Sequence, residues 1–347
     1  MTAPSTEKTQ ESPALDPLPS EVLLTNDGAT PKMRLPALLA IPLATLIAYG
    51  IHFLVSKNQS AAQTGMYSIF LAGVLVAGLL AAGLQFVWPL PRKWLTHTCP
   101  IFAAAILLLG IWELVTTGLH WLPLPYFPGP PAVLQSLLSD RKILYESTRS
   151  SLVLLLTGYA IGVFIALISG VTIGWFAKAR YWGMPILKII GPIPATAWVP
   201  LAMVLAPTGK TEYSAIGLIA LAVWFPVTML TASGISNTRA SYLDVARTLG
   251  ASRSFLIFRV AIPAAMPSIF IGLFMGLGTS FLTLIVAETV GVKSGLGYYV
   301  SWKQGWAEYG HVFAALIIMA GFFSTIMTVL FKVRDRVLVW QKGVIKW

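Results

Sequence analysis

Charged residues and cysteine are scarce in this 347-residue sequence. Asp, Glu, Lys and Arg make up 11% of it, against about a quarter in a typical soluble domain. Cys99 is the only cysteine, so the chain can form neither an internal disulfide nor a thiolate metal cluster. The four histidines lack metal-ligand spacing. Because 56% of the residues are hydrophobic, the composition excludes a single soluble core, predicts a polytopic membrane protein and gives no reason to expect a metal or a cofactor.

Several motifs of catalysis are also missing. The sequence contains no Gly-x-Ser-x-Gly elbow, no His-Glu-x-x-His helix and no paired carboxylates at helical spacing in its apolar runs. The run Pro207 to Thr211 looks superficially like a phosphate-binding loop, but Val204 stands where that loop requires its first glycine. An intramembrane enzyme, and ATP hydrolysis by this chain, are therefore disfavoured.

Long apolar runs dominate the rest of the chain. A helix needs roughly 20 apolar residues to cross a bilayer, and eight runs bounded by charge or by Pro and Gly clusters approach that length. The predicted spans are residues 36–55, 66–88, 100–118, 150–176, 184–206, 213–234, 265–290 and 310–332. Prolines interrupt the fifth. The polar residues 1–35 predict a disordered cytoplasmic tail.

The basic residues favour one side of these spans. The net charge is +11, yet Lys and Arg never form a stripe with interleaved aromatics, so nucleic acid is not an expected partner. When the spans are threaded back and forth, 17 of the 24 Lys and Arg residues fall on the side of the N-terminal tail. By the positive-inside rule, both termini are predicted to lie in the cytoplasm.

Two connections are longer than a simple turn. The external segment 119–149 begins with five prolines and continues as an amphipathic run from Val133 to Ile143, which predicts a helix lying along the membrane interface. The cytoplasmic segment 235–264 has helical periodicity punctuated by Arg and Asp, which predicts a helical hairpin.

The segment 235–264 carries the most specific pattern in the sequence. It reads Asp244-Val245-Ala246, three residues, Gly250, nine residues, and then a Val-Ala-Ile-Pro run that ends at Pro263. A helix that docks on a soluble partner uses an acid near its N-terminus to complement the dipole, a small residue for close approach and a glycine to end in a tight bend. An ordinary surface helix is the alternative. The residues predicted to couple this helix to a partner are Asp244, Val245, Ala246, Arg247, Leu249, Gly250, Arg253 and Pro263.

This pattern resembles the EAA signature of ABC importer permeases, with Asp in place of Glu and Val in place of the first Ala. From about Trp112 to Arg336 the chain is similar to the subgroup that serves nitrate, sulfonate, taurine, bicarbonate and related solutes. Three further stretches carry that similarity: Pro192 to Leu201, Trp224 to Val227, and Ala287 to Tyr298.

The resemblance implies an all-α fold in which a type I importer core of six helices follows two extra N-terminal transmembrane helices. Residues 36–98 would hold the added pair and residues 99–347 the permease domain. The implied partners are ABC ATPase subunits that receive the coupling helix, a periplasmic or lipid-anchored solute-binding protein, and a second permease copy in a homodimer, all at the bacterial inner membrane and its lipid. A stand-alone channel or secondary transporter is the alternative, although no second copy of the 244–263 pattern indicates an internal repeat.

A small, hydroxylated face of the seventh span is a candidate wall of the translocation path. Gly272, Gly276, Thr279 and Thr283 recur at helical spacing, and close Gly-xxx-Gly packing is the alternative use of that face. The proline breaks of the fifth span predict a gate or flexing element, with a simple kink of a structural helix as the alternative. The acids Glu113 and Glu288 within spans are functional candidates, with hydration at the membrane interface as the alternative, since both lie near span ends. The predicted path residues are Pro194, Thr196, Trp198, Pro200, Gly276, Thr279, Ser280, Thr283 and Glu288. Because no Lys or Arg lies deep in a span, an anionic solute would rely on hydroxyls, backbone dipoles and helix ends.

Overall fold

A computed structural model describes residues 35–55, 61–87, 92–206 and 210–341, and all regular structure within these ranges is helical. Residues 1–34 of the predicted tail lie outside them. Short 3-10 or π-helical segments join several of the helices. The α-helices are α1 (Leu35–Val55), α2 (Ala61–Val87), α3 (Arg92–Glu113), α4 (Pro130–Ser139), α5 (Arg141–Trp175), α6 (Ala177–Ile190), α7 (Val199–Val204), α8 (Thr211–Ser236), α9 (Ala240–Thr248), α10 (Arg253–Phe255), α11 (Ile262–Val290), α12 (Leu296–Gly305) and α13 (Tyr309–Val337).

Six helical runs within the described residues are long and apolar enough to cross a membrane. They correspond to the second, third, fourth, sixth, seventh and eighth predicted spans and confirm an all-helical, multi-pass fold. The runs are Thr64–Gly83, Thr98–Gly118, Arg141–Trp175, Thr211–Ser236, Arg253–Val290 and Tyr309–Val337.

The first and fifth predicted spans differ from these six. The fifth is not one helix, because α6 and the segment Ala195–Val204 meet at an angle of 76°. Pro192 and Pro194 lie at that break, where a proline leaves the helix without a backbone donor. The first is present as the shorter apolar helix Leu39–Val55. That two added helices cross the membrane before the permease domain stays a prediction.

The centre of the fold is a close pairing of α5 with α8. Four glycines of α5 line this contact, and a Cβ atom on any of them would lie within 3.0 Å of α8 atoms. Small residues at such spacing let two membrane helices approach closely, where dispersion and backbone contacts stabilise the pair. The series consists of Gly158, Gly162, Gly170 and Gly174, and it was not predicted from the sequence.

The helix α8 also packs on α11. A Cβ at Gly272 would lie 3.1 Å from Cα of Val227, and one at Gly276 would lie 3.1 Å from Cγ2 of the same valine. Both glycines are buried. The glycines of the predicted small face therefore serve helix packing, which was the alternative interpretation.

A buried polar network joins the N-terminal helices to α3. Nδ1 of His52 lies 2.6 Å from Oε1 of Glu113, and both side chains are at most 3% exposed. The Ser68 hydroxyl donates to the carbonyl of Thr64, so its oxygen accepts from Nε2–H of His52 at 3.0 Å. The His52 ring therefore bridges Ser68 of α2 and Glu113 of α3, which gives each of these polar side chains a hydrogen-bond partner.

The predicted interfacial helix is shorter than its amphipathic run. α4 ends at Ser139, and residues 141–143 begin the long helix α5. Val133 and Ser136 of α4 are buried rather than spread along a surface. The extent predicted for this helix, Val133 to Ile143, is therefore wrong, because Asp140 separates two helices there.

Candidate functional site

A cavity of about 290 Å3 lies where the broken segment after α6 faces α8 and α11. We call it the central cavity. The break supplies its irregular wall, and the two long helices supply the others. It is lined by Ile190, Gly191, Ile193, Pro194, Ala195, Thr196, Leu221, Ala222, Phe225, Pro226, Met275, Thr279, Leu282 and Thr283. None of these described lining residues is charged, so the cavity offers apolar surface and a few hydroxyls to a small solute.

Four of the nine predicted path residues line the central cavity. Pro194 and Thr196 belong to the break, and Thr279 and Thr283 belong to α11. The Thr279 hydroxyl donates to the carbonyl of Ala222 at 3.0 Å, and that of Thr283 donates to the carbonyl of Thr279 at 2.9 Å. Thr196 of the break also lines the cavity, and its hydroxyl is a group that can donate a hydrogen bond.

The other predicted path residues lie elsewhere. Gly276 is in the contact of α11 with α8, and the buried Ser280 hydroxyl donates to the carbonyl of Leu277 at 2.7 Å. Trp198 and Pro200 are exposed on the segment after the break and are not part of the cavity walls. Helical spacing places a residue on a face but does not say whether a neighbouring helix covers that face.

Glu288 is a structural connector rather than a cavity residue in this fold. It is 1% exposed. Its Oε1 accepts from the Ser151 hydroxyl of α5 at 2.6 Å, and its Oε2 accepts from the backbone N–H of Gly297 in α12 at 2.7 Å. The oxygen of Ser151 also accepts from the N–H of Leu296 at 2.8 Å. The carboxyl and hydroxyl together satisfy two free donors at the start of α12, which explains why an acid is tolerated at membrane depth.

Phe225 is the main cavity residue that the sequence analysis missed. It lies in the predicted family stretch Trp224 to Val227, and its ring packs directly on Gly191, where a Cβ atom could not fit. Trp224 points to α5 instead, and its indole N–H donates to the Ser169 hydroxyl at 3.1 Å. The proline that follows Phe225 indicates an irregular region of the helix. No pattern in the neighbouring sequence, however, distinguishes a phenylalanine that lines a cavity from one that is buried in the core.

The helix α9 ends in a Schellman motif. The N–H of Gly250 bonds to the carbonyl of Arg247 at 2.9 Å, and the N–H of Ala251 bonds to the carbonyl of Ala246 at 3.0 Å. Gly250 has φ of +83°, a left-handed conformation that favours glycine. The bend predicted at this glycine is present. The chain then turns and starts a new helix at Arg253, as a helical hairpin requires.

One prediction about α9 is wrong. Asp244 is not near the N-terminus of the helix, because the helix already begins at Ala240 and its first turn contains no acid. The Asp244 carboxylate instead pairs with the guanidinium of Arg247 at 2.9 Å, on an exposed surface. An exposed pair one turn apart contributes little stability, about 0.3–0.5 kcal/mol. Pro263, the end of the motif, lies in the first turn of α11.

No residue of α9 is buried in the described structure. Leu243 and Ala246 are half-buried against the bundle, whereas Val245 is 61% exposed and Leu249, immediately after the helix, is 82% exposed. An amphipathic helix of nine residues gains most of its stability from packing of its apolar face. The apolar face of α9 is therefore available to a partner.

A cluster of charges lies at the other end of the bundle, between α4 and α12. Nζ of Lys303 is 3.1 Å from Oδ2 of Asp140 and 2.6 Å from Oε2 of Glu308. Burial raises the pKa of Asp140, but hydrogen bonds from Tyr299 and Lys303 outweigh it and hold that pKa below its usual value. Burial lowers the pKa of Lys303, but the two carboxylates outweigh it and raise that pKa. Asp140 and Lys303 are therefore both charged at neutral pH.

The fold is thus that of a multi-pass helical membrane protein with a small uncharged cavity and an exposed amphipathic helix at one end. The sequence pattern of the binding-protein-dependent transport system inner membrane components matches residues 158–338. The chain belongs to this family of ABC transporter permeases, and the resemblance seen in its motifs is confirmed.

Several relatives of this family are similar over most of their own length. A probable ABC transporter permease protein of Haemophilus influenzae is 32% identical over 63% of this chain and 88% of the relative. The taurine transport system permease protein of Escherichia coli K12 is 31% identical over 69% of this chain and 84% of the relative. A putative aliphatic sulfonates transport permease protein of Bacillus subtilis is 30% identical over 61% of this chain and 77% of the relative.

Proposed function

We propose that this chain is the membrane subunit of an ATP-driven importer in the bacterial inner membrane. Its cargo is a small anion of the sulfonate or taurine type, delivered by a separate solute-binding protein. The names of the taurine and sulfonate relatives support the cargo class, and the family description supports a binding protein as partner. Both termini lie in the cytoplasm, as the distribution of basic residues favours.

The exposed face of α9 carries this proposal. ATP hydrolysis by a separate subunit can move the permease only through a mechanical contact, and α9 offers an exposed apolar surface and a hydrogen-bonded C-terminal cap for such a contact. The long helix from Arg253 to Val290 starts directly after α9 and forms one wall of the central cavity. A displacement of α9 by an ATPase is thereby transmitted to the cavity. A second copy of the chain completes the path.

The central cavity supports a small solute. Its volume of about 290 Å3 lies at the lower end of ligand pockets, which span roughly 300–1,000 Å3. Thr196 supplies a hydroxyl donor of the kind that a sulfonate oxygen accepts. No fixed cation holds the anion there, so binding stays weak enough for release, and selectivity resides in the binding protein.

Affinity purification of the chain from its native membrane tests the proposal. The wild-type chain is expected to bring down an ATPase with a phosphate-binding loop. Leu249→Ser removes the most exposed apolar side chain of the α9 region and is expected to weaken that association about tenfold, as loss of an interface anchor does. Leu138→Ser is the matched control, because Leu138 is an exposed leucine on α4, away from α9.

The competing functions give different results. A stand-alone channel or secondary transporter would move solute in vesicles that contain this chain alone, and Leu249→Ser would leave its rate unchanged. Retention of the ATPase and of uptake in Leu249→Ser would contradict the role proposed for α9. Gly250→Ala tests the C-terminal cap of α9 separately. A Cβ atom at this position would meet no atom within 4 Å, but the alanine would have to adopt the strained φ of +83° that the cap needs. Uptake should therefore fall while association with the ATPase persists.

A further inference from the structure

A second cavity, of about 560 Å3, lies at the end of the molecule that carries α9. Its walls are the end of α5, the beginning of α6, the end of α8, and the hairpin of α9 and α10. Three arginines from three different helices line it, Arg180, Arg247 and Arg253. None of the described residues that line it is acidic. We call it the arginine cavity.

Most of the positive charge in the arginine cavity is uncompensated. Arg180 donates from Nε and Nη2 to two backbone carbonyls at the end of α5, which carry no formal charge. These bonds hold the guanidinium in place and leave its other donors free. Arg247 pairs with Asp244, outside the cavity wall. Within the described part of the chain, neither Arg180 nor Arg253 forms an ion pair with a carboxylate.

The arginine cavity lies at the depth of the membrane surface. The spans Arg141–Trp175 and Thr211–Ser236 both end at its wall. Trp175 and Phe176 also line it, and Phe176 is 46% exposed. Aromatic side chains at the end of a span are typical of the headgroup region. The cavity therefore combines a fixed positive site with an adjoining apolar surface for the start of an acyl chain.

We propose that the arginine cavity binds a phosphate group, and that an anionic phospholipid supplies it. Guanidinium groups match the geometry of phosphate oxygens and bind them through paired hydrogen bonds. Basic pockets between membrane helices favour anionic headgroups in the same way. A bound lipid would bridge α5, α6 and the hairpin that leads into α11, and so would hold α9 in a defined position relative to the bundle.

The experiment compares lipid binding to purified full-length protein and two double variants. Arg180→Gln with Arg253→Gln removes the uncompensated charges. Arg239→Gln with Arg259→Gln is the matched control, because these two arginines are exposed and do not line the cavity. Native mass spectrometry measures retention of phosphatidylglycerol and of phosphatidylcholine, and a parallel titration uses inorganic phosphate. The cavity variant is expected to lose about 30-fold in affinity for phosphatidylglycerol, from two arginines near the lipid surface, while the control stays near the wild type.

A photoreactive phosphatidylglycerol analogue locates the site on the wild-type protein without any variant. Crosslinks are expected in residues 174–180, 235–238 and 253–256. Inorganic phosphate that protects these residues from crosslinking as well as unlabelled phosphatidylglycerol does would support a phosphate site. That result would show, however, that its ligand is a free anion rather than a lipid. Equal retention of phosphatidylcholine and phosphatidylglycerol by the wild type, crosslinks elsewhere, or equal losses in both double variants would overturn the proposal. These results are independent of ATPase association, so they do not depend on the coupling role of α9.

Discussion

The glycine series of α5 allows a sharp test of how the bundle is held together. Gly162 faces α8 so closely that a Cβ atom would lie 2.7 Å from the carbonyl oxygen of Ala220 and 2.9 Å from its Cα. These are backbone atoms, which cannot rotate away. Ordinary contacts begin at 3.4 Å, so Gly162→Ala forces the two helices apart by several tenths of an ångström. Such overpacking costs about 1–3 kcal/mol.

A control must remove the effect of alanine on helix propensity. Alanine is favoured over glycine in a helix interior by about 1 kcal/mol, which partly offsets the cost of the clash. Gly217→Ala on α8 gives the same gain without the clash, because a Cβ there meets no atom within 4 Å. The difference between the two variants therefore isolates the packing cost of about 1–3 kcal/mol.

The chain carries its own probe for this measurement. Cys99 is the only cysteine and is 3% exposed, so a thiol-reactive fluorophore reports its exposure during thermal unfolding in detergent. We expect the midpoint of Gly162→Ala to lie several degrees below that of Gly217→Ala. An equal or higher midpoint for Gly162→Ala would refute the close α5 to α8 packing.

Two further predictions use the same assay. Glu288→Ala leaves the Ser151 hydroxyl and the Gly297 N–H without their acceptor and should lower the free energy of unfolding by roughly 2–4 kcal/mol. Glu288→Gln keeps one acceptor oxygen and should lower it by less. Equal losses in the two variants would contradict the connector role of Glu288. Asp140→Asn removes the charge beside Lys303 and should cost on the order of 1–2 kcal/mol at pH 7. Because the folded pKa of Asp140 is lowered, its contribution is complete above the usual carboxyl pKa and disappears as pH falls through the folded value. The difference in unfolding free energy between Asp140→Asn and the wild type should therefore disappear in acid. A difference that does not change with pH would contradict the stabilising role of the Asp140 charge.

The sequence predicted the transmembrane organisation well, because hydrophobic length is a local property. Six of the eight predicted spans are present as helices long enough to cross a membrane, and the interruption of the fifth follows from its prolines. The cap of α9 at Gly250 was also predictable, since a glycine with positive φ at a helix end is set by a few neighbouring residues.

Predictions for small and polar residues were only partly correct, because the groups that these residues contact lie far away in the sequence. Thr279 and Thr283, two of the candidate path residues, line the central cavity, whereas Gly276 and Ser280, on the same helix, are covered by packing. Glu288 looked like a path residue because acids in spans are rare, but its partner Ser151 lies 137 residues away. The pairing of His52 with Glu113 was equally invisible, since the two residues lie 61 positions apart.

The sequence by itself therefore determined that this is a helical membrane protein of the ABC permease family, where six of its spans lie and where α9 ends. Only the tertiary structure decided which small or polar face meets a cavity, which meets another helix, and which arginines share a pocket. The physical reason is that helical periodicity fixes the direction of a side chain relative to its own axis. What that side chain contacts depends on how neighbouring helices are placed, and that follows from the packing of the whole bundle.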